Sequence, residues 1–447
     1  LVRWLFPVGA VMQYNPENVS REIGPDGVEH MYVNGSLAMR MFIIFAAAYV
    51  MSYAFRAINA VIAQPLVQEL GLTAGQLGFL ASAYFLSFAI MQLPVGVMLD
   101  RYGPRRVEAV LIGFAALGAL LFAVADSYLV LWLGRALIGV GVSACLMAAV
   151  KAYSLYFRPH MQASLSSWML VAGSLGALTV TTPVEAALPA LGWRGVFGVA
   201  AVLCVLAGLA LWFALPSLFK PQKTQSVADM AQGYKAIYAH PHFWRVAPLA
   251  MITQGGFMAF HGLWVGPWFT NVIGVSNAQA AQNMFWISAV LMLGYLALGF
   301  LTRRVSKAGG DEDQIMLIGM GLSLVIFAVQ IVQGAQSGLW GWLIHAFLIS
   351  SGIMTYATCN KPFPKKLTGR SSTALNLLIF IGAFSIQWGI GIGIDSFAAL
   401  GLSSTDAMRI SLAILWVMQL CSWVWYARPG RKVSHLIPFG AEQQRGG

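Results

Sequence analysis

The chain has 447 residues, of which 58% are hydrophobic and only 10% charged, and its formal net charge is +11. A water-soluble protein carries about 25% charged residues, so this composition excludes an ordinary soluble enzyme, a disordered chain and a nucleic-acid binder. It fits an all-α protein that crosses a lipid bilayer many times, with room for roughly a dozen helices and their joints.

In chain order, residues 1–36 hold Pro16, Glu17, Arg21, Glu22, Pro25 and Asp26 without periodicity. They read as a cytoplasmic extension with no cleavable signal peptide. Apolar runs then predict twelve spans, at 37–65, 76–98, 107–125, 129–157, 162–189, 194–216, 246–270, 282–302, 314–333, 338–360, 371–396 and 406–427. The hydrophilic stretch 217–245, with Lys220, Pro221, Lys223, Asp229 and Lys235, separates a first bundle, 37–216, from a second, 246–427. Residues 428–447 form a tail. The four cysteines, Cys145, Cys204, Cys359 and Cys421, fall inside spans without metal-ligand spacing and read as buried free thiols.

Charge sets the direction. Of the 27 Lys and Arg residues, 22 lie in the tails and in one alternate set of joints, as in Arg101, Arg105, Arg106, Lys220, Arg303, Arg304, Lys365, Lys366 and Arg428. The opposite joints, near 66–75, 126–128, 271–281 and 333–337, carry none. The positive-inside rule therefore predicts that both termini are cytoplasmic, which an even number of spans requires.

The two halves repeat. A shift of 203 residues lays Gly71-Leu-Thr-Ala-Gly-Gln76 over Gly274-Val-Ser-Asn-Ala-Gln279, and Gly96 to Arg101 over Gly299 to Arg304. A shift of 210 superimposes Arg135 on His345, Lys151 on Lys361 and Glu185 on Asp395. Two six-helix bundles related by an internal repeat are the expected architecture.

At these residues a family resemblance becomes explicit. Gly96-Val-Met-Leu-Asp100-Arg101-Tyr-Gly103-Pro104-Arg105-Arg106 resembles the loop 2–3 signature of the major facilitator superfamily. Arg135-Ala-Leu-Ile-Gly139-Val-Gly141 resembles its span-four motif, and Gly192-Trp193-Arg194 the start of its span six. The second-half counterpart departs, with Thr302 and Arg303 where an acid is expected. Span five has Gly173, Gly176 and Pro183 but not the full glycine–proline signature of the superfamily's antiporters, which tells against drug efflux. Ser52-Tyr-Ala-Phe-Arg56, with Gln387-Trp-Gly-Ile-Gly-Ile-Gly393, is similar to the branch of bacterial organic-anion importers. The resemblance implies a major facilitator fold, alternating access and a place in a bacterial inner membrane.

Several polar residues are candidates for the work. Asp100, flanked by Gly96, Gly103, Arg101, Arg105 and Arg106, suits a gate in which a carboxylate accepts charge-assisted hydrogen bonds; the arginines alone also fit a topology anchor. Arg56 follows Arg40 by sixteen residues, roughly 24 Å along a helix, which places a costly charge deep in a span. Its planar fork suits a carboxylate or phosphate, with Asn59 one turn on, although a structural pairing serves equally. On span seven, His261 matches that depth and can exchange a proton near neutral pH, or rest as a neutral ring; Gln254 and Trp264 share its region. Lys151 and Lys361 can draw an anion inward or snorkel to the headgroups. Glu185, Asp395, Arg135 and His345 complete the candidates for proton coupling. The twenty methionines read as packing and not as a copper path.

The sequence thus predicts a secondary transporter of a small organic anion, monomeric, without cofactor or metal, whose partners are its small-molecule substrate, protons and the lipid bilayer. No Walker sequence supports ATP-driven pumping, and no acid–base or nucleophile constellation supports an enzyme. Export of a hydrophobic or cationic compound is the alternative. Metal or siderophore transport and a non-transporting receptor rank below it.

Overall fold

A computed structural model describes residues 19–23, 29–219, 227–307 and 311–428. Most of the extension 1–36, part of the stretch 217–245 and nearly all of the tail 428–447 lie outside the described residues. By internal contact the chain forms two units, Leu1–Ile58 with Leu86–Thr224, and Asn59–Phe85 with Gln225–Gly447. The division falls within the first two long helices, so the segment 59–85 packs with the second unit.

Among the described residues ten helices are long and apolar enough to cross a membrane, and Ser164–Thr179 is a shorter apolar helix. Large apolar side chains stand exposed along them, among them Ile43, Leu133, Phe300 and Val332, as a lipid-facing surface requires. The extension contains one element that its sequence did not suggest. Strands β1 (Val19–Ile23) and β2 (Glu29–Val33) form an antiparallel hairpin.

In the first unit α1 (Gly35–Leu70) and α2 (Ala74–Tyr102) contribute their first and last parts respectively. Gly103, at φ 81°, turns the chain, and Pro104 opens α3 (Pro104–Ala123), where the missing N–H of proline costs nothing. The predicted fourth span is two helices, α4 (Tyr128–Val142) and α5 (Cys145–Tyr156). Helix α3 packs on α4 where Gly118 and Gly134 face each other's carbonyls and Gly141 lies against Ala115, a small-residue seam suited to packing without a hydrophobic drive. The boundary between spans five and six also differs from the expectation of 162–189 and 194–216. Helix α6 (Pro159–Thr179) ends before Pro183, and α7 (Thr182–Leu209) is bent at Gly192, whose φ is 61°.

Besides the segment 59–85, the second unit contains α8 (Val227–Ala239) and α9 (Pro241–Leu249). Ile237, Phe243, Phe363, Leu375 and Ile379 form its buried core at that end. The expected span 246–270 is not one regular helix: wide π turns occupy Ala250–Gln254, Phe260–Trp264 and Trp268–Ile273. Then follow α10 (Asn277–Lys307), α11 (Glu312–Gln333), α12 (Leu339–Ile349), α13 (Thr355–Asn360), α14 (Lys365–Ala399) and α15 (Ser404–Ala427). A tight 3-10 turn at Ser350–Met354 separates α12 from α13. It falls where the shift of 210 carries the break between α4 and α5.

Of the four cysteines, three are buried and Cys421 is exposed, contrary to the expectation of four buried thiols. Residue 421 sits on a face of α15 that nothing in the unit covers.

A Cβ at Gly141 would meet Ala115, and overpacking of this kind costs about 1–3 kcal/mol or more. Gly141→Val is therefore expected to lower the unfolding midpoint in detergent. Gly113→Ala on the same helix α3, where a Cβ meets nothing within 4 Å, is expected to leave it unchanged.

Candidate functional site

The first unit brings two guanidinium groups to adjoining positions of α1. Arg56 lies with its Cζ 4.5 Å from the centre of the Tyr53 ring and 5.9 Å from that of Phe88. Arg135 of α4, 1% exposed, donates through Nη2 to the carbonyl of Phe55 at 3.1 Å. Gly173 and Gly176 of α6 let that helix close on Tyr49, Tyr53 and the Val50 carbonyl, which fixes the aromatic ring beneath Arg56. Asn59, one turn on, is buried.

The gate residues are arranged differently from expectation. Asp100 pairs with Lys151 of α5 at 2.8 Å, and the neighbouring arginines go elsewhere. Arg105 donates to the Leu215 carbonyl at 2.6 Å, and the Arg101 guanidinium lies 5.4 Å from the Tyr102 ring centre. Arg101, Arg105 and Arg106 together line a cleft with Tyr156 and Phe219. Phe219 also covers Gly103, whereas a Cβ at Gly96 would meet nothing. The reason is one of reach: Lys151 extends from α5 to Asp100, while Arg101 points to the Tyr102 ring and Arg105 and Arg106 sit beyond the turn at Gly103. Since the pair is 26% and 48% exposed, its worth is about 0–1 kcal/mol, which suits a contact that must open.

Lys361 repeats the arrangement with a different acid. Its ammonium lies 2.7 Å from Asp313 and 3.7 Å from Asp311. Asp313 also accepts from the Thr358 hydroxyl at 2.7 Å. The acid missing at position 303 is thus supplied from the start of the next helix.

In the second unit His261 and His345 flank one ring. Phe257 is stacked on His261 at 5.4 Å and lies 6.3 Å from His345. His261 Nε2 is 3.3 Å from the Ser288 hydroxyl. His345 Nδ1 is 2.9 Å from the Ser323 hydroxyl and 3.1 Å from the Ser323 carbonyl. Both π turns that hold Gln254 and His261 belong to the irregular segment, a placement common at functional sites. Gln254 lies against Gly352, and its buried Nε2 has no hydrogen-bond partner. Trp264 donates to the Gln387 carbonyl at 3.0 Å. Both amide atoms of the buried Gln387 lack partners, a residue that the sequence marks only through the family resemblance.

Asp395 has the most definite geometry of the candidates. Its Oδ1 accepts from the Ala74 N–H at 3.0 Å and its Oδ2 from the Gly75 N–H at 2.8 Å. A Thr73–Gln76 capping box satisfies the same helix end. The contact needs small residues: Gly75 and Gly78 of α2 lie against Asp395 and the Gln387 carbonyl, and Gly391 lies against Ala74. Glu185, its repeat partner, sits in the first turn of α7, half-buried. Among the described residues no three His, Cys, Asp or Glu side chains are grouped as a metal site.

These features agree with the comparisons to known proteins. The family model of the Major Facilitator Superfamily matches residues 44–386, and the chain belongs to that family of multi-pass membrane transporters. A Thermus thermophilus protein described as a "Probable nitrate/nitrite antiporter" is 27% identical over 285 residues, 60% of this chain and 63% of that one. A Cupriavidus necator protein described as a "Probable sulfoacetate transporter" is 27% identical over 64% of this chain and 70% of its own length. The match therefore spans somewhat under two thirds of the Thermus relative. The fold of a bacterial homolog to the human lysosomal transporter Spinster aligns at a TM-score of 0.72, with 16% identity, over 88% of this chain and 97% of that one.

Two outcomes follow from this geometry. Asp395→Ala strands two N–H groups, so the unfolding midpoint in detergent should fall, with Asp395→Asn between it and wild type; about 1–3 kcal/mol is at stake. His242, at the start of α9, bonds the Thr358 carbonyl at 2.9 Å. Burial pushes its imidazole below the usual 6.5, which the Thr358 bond and Asp313 oppose and Arg245 and Lys361 reinforce. The unfolded chain then binds the proton first, so stability is intact above about pH 6.5 and is lost as pH falls through the lower folded value. A thermal-unfolding series against pH should show that decline, and His242→Gln should flatten it.

Proposed function

We propose that this chain is a secondary active transporter that moves a small, carboxylate-like organic anion by alternating access, coupled to protons. In this reading it has twelve spans in two six-helix halves, acts as a monomer in a bacterial inner membrane, and keeps both termini in the cytoplasm. The observation that carries the anion is Arg56 on its Tyr53 platform, with Arg135 anchored to the adjoining carbonyl. A delocalised cation on an aromatic face is held in place, and a planar guanidinium is the side chain whose shape best matches a carboxylate. Both relatives' names carry anions, and the one in the name of the Cupriavidus protein, sulfoacetate, is an organic carboxylate.

The cycle runs in four steps. The anion enters from the outer side and meets Arg56, and a proton is taken up. With charge offset, closing the outer seam costs less, and Asp395 clamps the start of α2. Lys151–Asp100 and Lys361–Asp313 then part at the cytoplasmic end. His261 and His345, on either side of Phe257, are the candidate groups for moving the proton, and Gln254 offers the substrate an amide.

A second reading, export of a hydrophobic or cationic compound, draws on the aromatic cluster of Phe257, Phe260, Phe327 and Trp342. Uptake by proteoliposomes separates the two. Sulfoacetate should accumulate under an inward proton gradient, more than nitrate, and stop when an ionophore collapses the gradient. Arg56→Lys should reduce uptake about tenfold, the equivalent of 1.4 kcal/mol. Wild-type uptake in that variant would remove Arg56 from recognition, and uptake indifferent to the gradient would remove the protons.

A further inference from the structure

The first unit buries a carboxyl group that none of these roles uses. Glu108 lies four residues into α3, about 6 Å along the axis from Pro104, and is fully buried. Neither of its oxygens has a hydrogen-bond partner. From α5 the Cys145 thiol and Tyr153 face it, and the Tyr153 hydroxyl is itself buried without a partner. From α7, Cys204 lies beside Cys145. The nearby cations are engaged elsewhere. Arg105, on the same helix, reaches the Leu215 carbonyl, and Arg106 lines the cleft with it. Arg135 of α4 reaches the Phe55 carbonyl, and Lys151 of α5 holds Asp100.

A carboxylate ionised in such a place, with no cation beside it and only a weak thiol donor and a phenol facing it, is expensive. The ligand that completes it is a proton. We propose that Glu108 is a proton-carrying residue of the transport cycle, which holds its proton while α3 and α5 are packed as here and gives it up when they part. In the release step the carboxylic O–H bond breaks, the proton passes to a water admitted between the two helices, and the electron pair stays on the carboxylate. Uptake is the reverse. The carrier is tied to the gate through α5, which presents Cys145 and Tyr153 to Glu108 and Lys151 to Asp100. This inference rests on the proton-coupled reading above and adds to it a residue that neither histidine replaces.

The test uses the full chain in liposomes. Infrared spectra near neutral pH should show an exchangeable protonated-carboxyl band in wild type that Glu108→Gln lacks. Sulfoacetate uptake is measured with and without an imposed proton gradient, and the ratio of the two should fall to about one in Glu108→Gln. That variant has the shape of the neutral acid, and its unfolding midpoint should match wild type. An unchanged band shows Glu108 to be ionised as packed, which overturns the proposal. A lost band with a wild-type gradient ratio overturns it too, since the proton then takes no part in the cycle. If wild type itself shows no gradient response, the failure belongs to proton coupling as a whole; if wild type responds and the variant responds equally, it belongs to Glu108 alone.

Discussion

Hydrocarbon supplies no partner to a charge or a backbone N–H, and the placement of most polar groups in this protein follows from that single constraint. Arg194 at the bend of α7 donates to the Ala125 carbonyl just past the end of α3, and Arg409 of α15 donates to the Ile331 and Val332 carbonyls near the end of α11. Each places a positive charge where a helix ends in unpaired carbonyls. Arg135 does the same for a carbonyl inside α1. The two lysines find acids, and Asp395 finds two backbone donors. Among the buried polar groups of the described residues that have atoms without partners, Gln254, Gln387 and Glu108 are ones that invite a ligand or a proton.

Much of this was legible in the sequence because it is written in local rules. Gly71 and Gly274, at φ 62° and 82°, precede caps formed by Thr73 and Ser276, as the 203-residue repeat of glycine, hydroxyl and glutamine suggested. The offset of 210 laid Lys151 over Lys361, and each lysine meets an acid, which neither the anion-drawing nor the snorkelling reading foresaw. What escaped was whatever depends on a partner far along the chain or on an irregular backbone. Asp311 and Asp313 read as loop acids, yet they answer Lys361. Span seven is apolar enough for a plain helix, and nothing in its composition announces three π turns. The hairpin was overlooked although Gly24-Pro-Asp-Gly27 between its strands is a run of turn-forming residues. Glu108 falls inside the expected span 107–125 but at its second residue, beside Arg105 and Arg106, where an acid can reach the water, and only packing shows it buried.

The functional account gains from the contrast between the helix ends. The seam of Gly75, Gly78 and Gly391 is close, glycine-lined and clamped by a carboxylate accepting two hydrogen bonds, whereas the lysine pairs at the basic end are partly exposed and weak. A transporter needs contacts that hold and then let go, and small residues with a single ionic clamp provide a surface that can part without tearing a side-chain network. Asp395 therefore matters more than its modest stabilisation suggests. It accepts two backbone N–H groups at the start of a helix far along the chain, so its replacement removes both bonds of the seam at once.

That role can be measured without knowing the substrate. Nitroxide labels at Gln68→Cys and Ser396→Cys, both exposed positions of the second unit, report the separation across the seam once the exposed native Cys421 is replaced by Ser. Pulsed electron resonance in lipid should show two distance populations, with the longer one increased by Asp395→Asn. A single distance, unchanged by that substitution, would contradict a seam that opens and closes under the control of Asp395.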